Sequence, residues 1–279
     1  MGLLFGNYDK PGPGVPKNAP PLKPVPRFFS ILQRKFFDLV KLNLLFCIPV
    51  AAVAALCYFV STITPIVAID LLPLILLSPF CAGLTFVTRN YAREEHAFIF
   101  SDFVDAVKNN WKPFLVNGIL VYVFTNIMIV AISYYHNLSS QNIIGTIATV
   151  LCIVISYIVL CSQYYVPVMI VTFDLKLTQI LKNSLIFAII GLLPNFITTL
   201  LLALLVVLYF VSIIMPLTII IMVCFTIFLV FAYCSFLINF AVYPLVDKMM
   251  IQPYLKMQKE NKKDESEDEE VESDFVDRI

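Results

Sequence analysis

The placement of the basic residues constrains this chain more than any other feature. Six apolar stretches divide the sequence, at roughly 42–62, 66–88, 114–134, 143–172, 185–210 and 213–245. All 19 Lys and Arg residues lie outside them, and only on alternate connections. Seven precede the first stretch. Arg89, Arg93, Lys108 and Lys112 lie between the second and third, Lys176 and Lys182 between the fourth and fifth, and six follow the last. Positively charged loops stay on the cytoplasmic side of a membrane, so this alternation predicts six transmembrane helices with both termini inside.

Composition agrees. A chain of 279 residues with 60% hydrophobic residues, 14% charged residues and a mean hydropathy of +0.88 is not a soluble domain. Open strands are excluded in the bilayer, because their backbone groups would go unpaired. The expected fold is all-α: a polytopic membrane protein whose six transmembrane helices form three antiparallel hairpins, N-in and C-in. The short outer links, Thr62–Pro65, Tyr135–Asn142 and Val211–Pro216, force the pairing. A weak internal echo, Asp105–Asn110 against Gln179–Ser184, is consistent with related hairpins or with the shared needs of cytoplasmic helix ends.

Three segments follow along the chain. Residues 1–26 form a Pro/Gly-rich cytoplasmic segment, extended and partly polyproline-like. Residues 27–258 form the six-helix membrane domain, entered through an interfacial helix from about Arg27 to Lys41. Residues 259–279 form an acidic tail that cannot bury apolar surface and is expected to be disordered. No apolar run near the N-terminus is long enough for a signal-peptide core, and Gly6 departs from a myristoylation start.

The segment 89–113 is the most informative locally. Arg89 and Arg93 stand one helical turn apart, Glu94 and Glu95 follow, and Ser101 can cap a helix with Asp102 in its first turn. Phe100, Phe103, Val104 and Val107 make an apolar stripe, and Trp111 falls at the interface. This predicts a structured amphipathic elbow. It serves either to dock a partner or to lie on the headgroups. Exposed ion pairs contribute only about 0–1 kcal/mol each, so stability alone accounts poorly for so dense a cluster.

Little points to catalysis. His96 lacks a second histidine on its side of the membrane, and E-E-H-A-F is not a metal-binding spacing. No phosphate-binding loop, nucleophile elbow or kinase motif is present. No cofactor, metal or nucleic-acid partner is expected, and an energy-driven pump would need a separate ATPase subunit. The seven cysteines all sit in apolar runs and are expected to pack as small hydrophobes. Asp70 is the one acidic residue in the outer half of the membrane, either interfacial or on a solute path. Gly191 with Pro194 marks the best candidate for a broken helix, in the fifth stretch.

Three segments resemble the YesL family of bacterial integral membrane proteins: GNYDKPGPGV, RFFSILQRKFFDLVKLNLLFCIP and SPFCAGLTFVTRNYAREEHAFIFSDFVDAVKNNW. The likeness covers most of the first 115 residues, and the acidic tail departs from it. The resemblance implies a multi-pass protein of the bacterial plasma membrane, encoded beside genes for carbohydrate uptake and glycan breakdown. It carries over Gly83, Arg89, Asn90, Arg93, Glu94, Glu95, Asp102, Lys108, Asn109 and Trp111, to which the family assigns no catalytic role, as a structural and docking signature. The leading expectation is a non-enzymatic accessory protein in contact with membrane lipid and supporting a carbohydrate ABC permease or its regulation. The alternatives are a stand-alone small-solute or lipid transporter and a sensor partnered with a histidine kinase.

Overall fold

The computed structural model describes residues 22–63, 67–140, 142–214 and 216–258. Most of the Pro/Gly-rich segment, the acidic tail and parts of the outer links therefore lie outside the described residues. All regular structure among the described residues is helical. Helix α1 (Pro24–Arg34) belongs to a unit of its own. The described residues from Lys35 onward form the second unit.

That second unit begins with α2 (Phe36–Ile63). The next apolar run, expected as one span over 66–88, is instead three pieces: α3 (Val67–Asp70), α4 (Pro73–Leu76) and α5 (Ser78–Ala92). Proline is the cause. Pro73 and Pro79 cannot donate to the ladder, and the chain bridges the gaps with tighter bonds, Leu72 N to Ile69 O and Leu74 N to Leu71 O at 3.0 Å each.

Helix α6 (Ile99–Ser139) starts inside the predicted amphipathic elbow and runs unbroken through its second half and the third apolar run. It also persists five residues into the link expected from Tyr135. Asn142 then caps α7 (Ile143–Thr172), its side chain accepting from Gly145 N at 2.9 Å. Gly145 is required here, because a Cβ would stand 2.5 Å from Ser139 N. The α6–α7 turn is thus a tight antiparallel hairpin.

The fifth run breaks at Gly191, as the sequence predicts, into α8 (Leu177–Ile190) and α9 (Leu192–Ser212). The last run is α10 (Pro216–Phe225), a π-helical turn over Thr226–Val230, α11 (Phe231–Val246) and a second π turn over Asp247–Ile251. Asn43 on α2 answers the first π turn. Its amide donates to Thr226 O at 2.9 Å and Ile227 O at 2.7 Å, and its oxygen accepts from Ala232 N at 2.9 Å. A π turn displaces the regular ladder, and the fully buried Asn43 supplies the missing partners.

Among the described residues five helices are long and apolar enough to cross a membrane: Phe36–Ile63, Ile99–Ser139, Ile143–Thr172, Leu192–Ser212 and Thr218–Gln258. This is the pattern of a multi-pass membrane protein. Helix α5 is not among the five, yet it is central, packing on α2, α4, α6, α7 and α11. Its closest neighbour is α6. Gly83 makes that approach possible, since a Cβ there would stand 2.5 Å from the Phe103 ring and 2.7 Å from the Phe103 carbonyl oxygen. At the other end of the pair Gly118 meets the Leu74 carbonyl and Ser78, and Ser78 Oγ donates to Phe114 O at 2.5 Å. Small residues let backbones approach in this way where lipid offers no hydrophobic drive.

Candidate functional site

The elbow takes its shape from the end of α5. Ala92 is the last helical residue and Arg93 the C-cap, Glu94 adopts a left-handed conformation with φ +62°, and Glu95 N bonds back to Asn90 O at 2.8 Å while Glu94 N bonds Tyr91 O at 3.0 Å. This is the Schellman arrangement, and its left-handed position is usually glycine. Glu94 is the one non-glycine residue with positive φ among those described. A side chain there costs about 1 kcal/mol.

Arg89 does not belong to a surface ion-pair cluster. It is buried, and its guanidinium donates to Val171 O at 2.7 Å, Thr172 Oγ1 at 3.0 Å and Asn90 Oδ1 at 2.8 Å. Val171 and Thr172 close the C-terminus of α7, where unpaired carbonyls favour a cation. Arg89 therefore staples α5 to α7, with Asn90 as its support.

Arg93 bonds Glu95 at 2.6 Å and lies 5.3 Å from the Tyr243 ring on α11. Lys35, just before α2, lies 4.9 Å from the Tyr91 ring. The start of α2 and the ends of α5, α7 and α11 thus meet at one basic end of the unit.

Ser101 is not the cap of α6. Phe98 holds that position, and Asp102 reaches back to accept from Phe98 N at 2.8 Å. One turn of extra helix displaces the cap, and the longer reach of the carboxylate suits the earlier start. Phe103 is buried against Gly83, as the apolar stripe requires, but Phe100 points outward at 69% exposure, as does Phe98. His96 stacks edge-on with Phe98 at 4.7 Å. Lys108, Asn109 and Trp111 lie farther along α6, all exposed, with the Lys112 ammonium 5.6 Å from the indole. The signature residues thus divide. Gly83, Arg89, Asn90, Arg93 and Asp102 shape the elbow from within, while Glu94, Glu95, Lys108, Asn109 and Trp111 face outward.

The intramembrane candidates lie elsewhere. Asp70 ends α3 and is exposed. At the α8–α9 break the freed groups are already answered. Asn195 donates to Ala188 O at 3.0 Å and accepts from the Tyr165 hydroxyl at 2.8 Å. Gly191 leaves room for that hydroxyl, and Pro194 is half-buried beside it. The break satisfies itself rather than presenting open backbone.

One site escapes sequence reasoning altogether. A cavity of about 480 Å³ lies among α2, α4, α5, α6, α7 and α11. Phe46, Leu77, Phe114, Tyr164 and Phe231 supply apolar walls, and Asn117, Gln163, Ser235 and Asn239 the polar points. Asn117 donates to Gln163 Oε1 at 2.9 Å. Asn239 donates to Thr88 Oγ1 at 2.7 Å, and Thr88 pairs with Ser235 at 2.8 Å. The signal was present as single Asn, Gln and Ser residues inside apolar runs, but each is unremarkable until six helices bring them together. Among the described residues no three His, Cys, Asp or Glu side chains gather to hold a metal ion.

Residues 36–132, from the start of α2 to well along α6, match the family described as "Protein of unknown function, DUF624". Nothing among curated proteins and nothing among solved structures matches the chain.

Proposed function

We propose that this protein is a non-enzymatic accessory subunit of the bacterial plasma membrane that supports a carbohydrate ABC permease, and that it docks through the elbow between α5 and α6. The observation that carries the reading is the pairing of rigidity with exposure. A Schellman turn strained at Glu94, a buried Arg89 staple and an Asp102 cap hold the elbow, yet Phe98 and Phe100 stand outward beside Glu94, Glu95 and His96. Backbone strain persists only where the surroundings over-determine it, and it concentrates at functional positions. Aromatic anchors inside a charged rim are the usual anatomy of an interface.

The chain makes six passes, with α3–α5 as a broken second pass and both termini cytoplasmic. The convergence of basic helix ends around Arg89, Arg93 and Lys35 supports this topology. The carbohydrate link rests on the YesL resemblance, and the DUF624 match covers much of the same region.

The test is a mild-detergent pull-down of the tagged chain from its own membranes, read by quantitative mass spectrometry. The permease transmembrane subunits are expected near stoichiometry with the native chain and at background with a Phe98→Asp, Phe100→Asp double variant. Equal recovery with both chains overturns docking at the elbow. A second reading, a stand-alone small-solute or lipid transporter, is favoured by the cavity. Asp70 is not among the cavity's lining residues, so Asp70→Asn leaves such transport unchanged in reconstituted vesicles.

A further inference from the structure

The cavity among α2, α4, α5, α6, α7 and α11 has two polar points that the protein itself does not answer. Asn117 Oδ1 and Asn239 Oδ1 are both buried, and no protein donor reaches either. Buried acceptors without partners are uncommon, and each one calls for an explanation.

The orientation of Asn239 is set by its neighbours. Its amide nitrogen faces Thr88 Oγ1 at 2.7 Å and the Thr85 carbonyl at 3.4 Å. Thr88 already gives its own proton to Leu84 O at 2.7 Å. Turning the Asn239 amide over would set its oxygen against the Thr85 carbonyl, so the outward atom is an acceptor. For Asn117 and Gln163, whichever amide donates across the pair, one open edge remains on each.

The remaining lining defines the chemistry. No Asp, Glu, Lys, Arg or His is among the lining residues. A charged ligand would lose its hydration without gaining a counter-charge. Most of the wall is apolar, so a ligand must bring apolar surface as well. A free sugar, with hydroxyls on every side, would leave most of them unpaired. Pro73 and Pro167 also line the space: Pro73 opens α4 after the α3–α4 break, and Pro167 lies within the continuous α7, where its nitrogen donates no ladder bond. A broken helix beside a ligand site is a recurring device of membrane proteins, and the breaks between α3, α4 and α5 stand at this cavity. The volume lies in the range of small-molecule pockets.

We infer that this cavity binds an uncharged, mainly apolar molecule carrying hydroxyl donors, a lipid-like alcohol, whose hydroxyls bond the carboxamides of Asn117 and Asn239. The site is independent of the elbow, so its test needs no partner protein.

The full chain is reconstituted in nanodiscs and titrated with radiolabelled 1-monooctanoylglycerol, which has an eight-carbon chain and two hydroxyls. Octanoate serves as the charged comparison. Saturable binding of one glyceride per chain is expected, with no saturable binding of octanoate. Asn117→Leu is expected to weaken the glyceride by about tenfold, the loss of one buried hydrogen bond. Val121→Phe fills the space from an apolar lining position that makes no side-chain hydrogen bond and is expected to abolish binding, while the protein keeps the native elution volume and melting temperature. Binding that only tracks nanodisc lipid and ignores Val121→Phe overturns the site. Octanoate bound as tightly as the glyceride overturns the ligand class. Loss of permease recovery in the pull-down bears on neither result.

Discussion

Helices α5 and α9 invert the rule that holds in water. Helix α9 is the more apolar, yet of its 21 residues only Asn195, Thr198 and Ser212 are buried. Helix α5 has 15 residues and carries Ser78, Thr85, Thr88, Arg89 and Asn90, and all five are buried. Its lining of small and polar side chains is what α6, α7 and α11 pack against. Lipid solvates a leucine as well as a protein interior does, so apolar surface gains little from burial in the bundle. Polar groups gain much, because only the bundle can bond them. Burial here follows the need for hydrogen-bond partners and close packing rather than hydrophobicity.

The sharpest way to break that contrast is at Gly83. Gly83→Val pushes a branched side chain into Phe103 and its backbone, and overpacking of this kind costs about 1–3 kcal/mol or more. Loss of the monodisperse peak in size-exclusion chromatography is expected. A well-behaved Gly83→Val protein would mean that α5 and α6 can separate freely.

Arg89→Met comes next. It leaves Val171 O and Asn90 Oδ1 without their donors, at about 1–3 kcal/mol. Arg89→Lys is not expected to restore the loss, since an ammonium cannot span both sides of the fork. Thermal melts in a single detergent compare the three chains. A melting temperature equal to the native one in Arg89→Met would show that the staple is dispensable.

Glu94→Gly acts in the opposite direction. Relief of the left-handed strain is expected to stabilise the fold by up to about 1 kcal/mol. A lower melting temperature would show that the Glu94 side chain contributes more than its backbone costs.

The smallest effect belongs to α9. Leu200 is 59% exposed, and Leu200→Ala is expected to stay within about 0.5 kcal/mol of the native stability. If it proves as damaging as Arg89→Met, the contrast between the two helices fails.

Particular residues show what the sequence made legible. The apolar runs at 42–62, 114–134 and 143–172 fall within α2, α6 and α7, because length and hydropathy alone determine them. The break at Gly191 was legible, since glycine near proline is costly in any helix. The elbow was legible as a structured turn, but its logic was not. Arg89 read as a surface charge and is a buried staple, because its acceptors on α7 lie 82 and 83 positions away. Ser101 read as a cap, and Asp102 takes the role from inside the helix. The run 66–88 read as one span, and its prolines divide it.

Sequence alone thus determined the material of this protein: long apolar helices, since the bilayer allows little else. Tertiary structure decided which face of each helix meets protein and which is left for lipid. Hydropathy cannot mark that difference, because both faces are apolar. It also decided where isolated polar residues go. Asn43, Asn117, Asn195 and Asn239 are scattered over almost two hundred positions, and each acquires its role from a partner on another segment or, for the open carboxamides of the cavity, from a shape that only six helices together enclose.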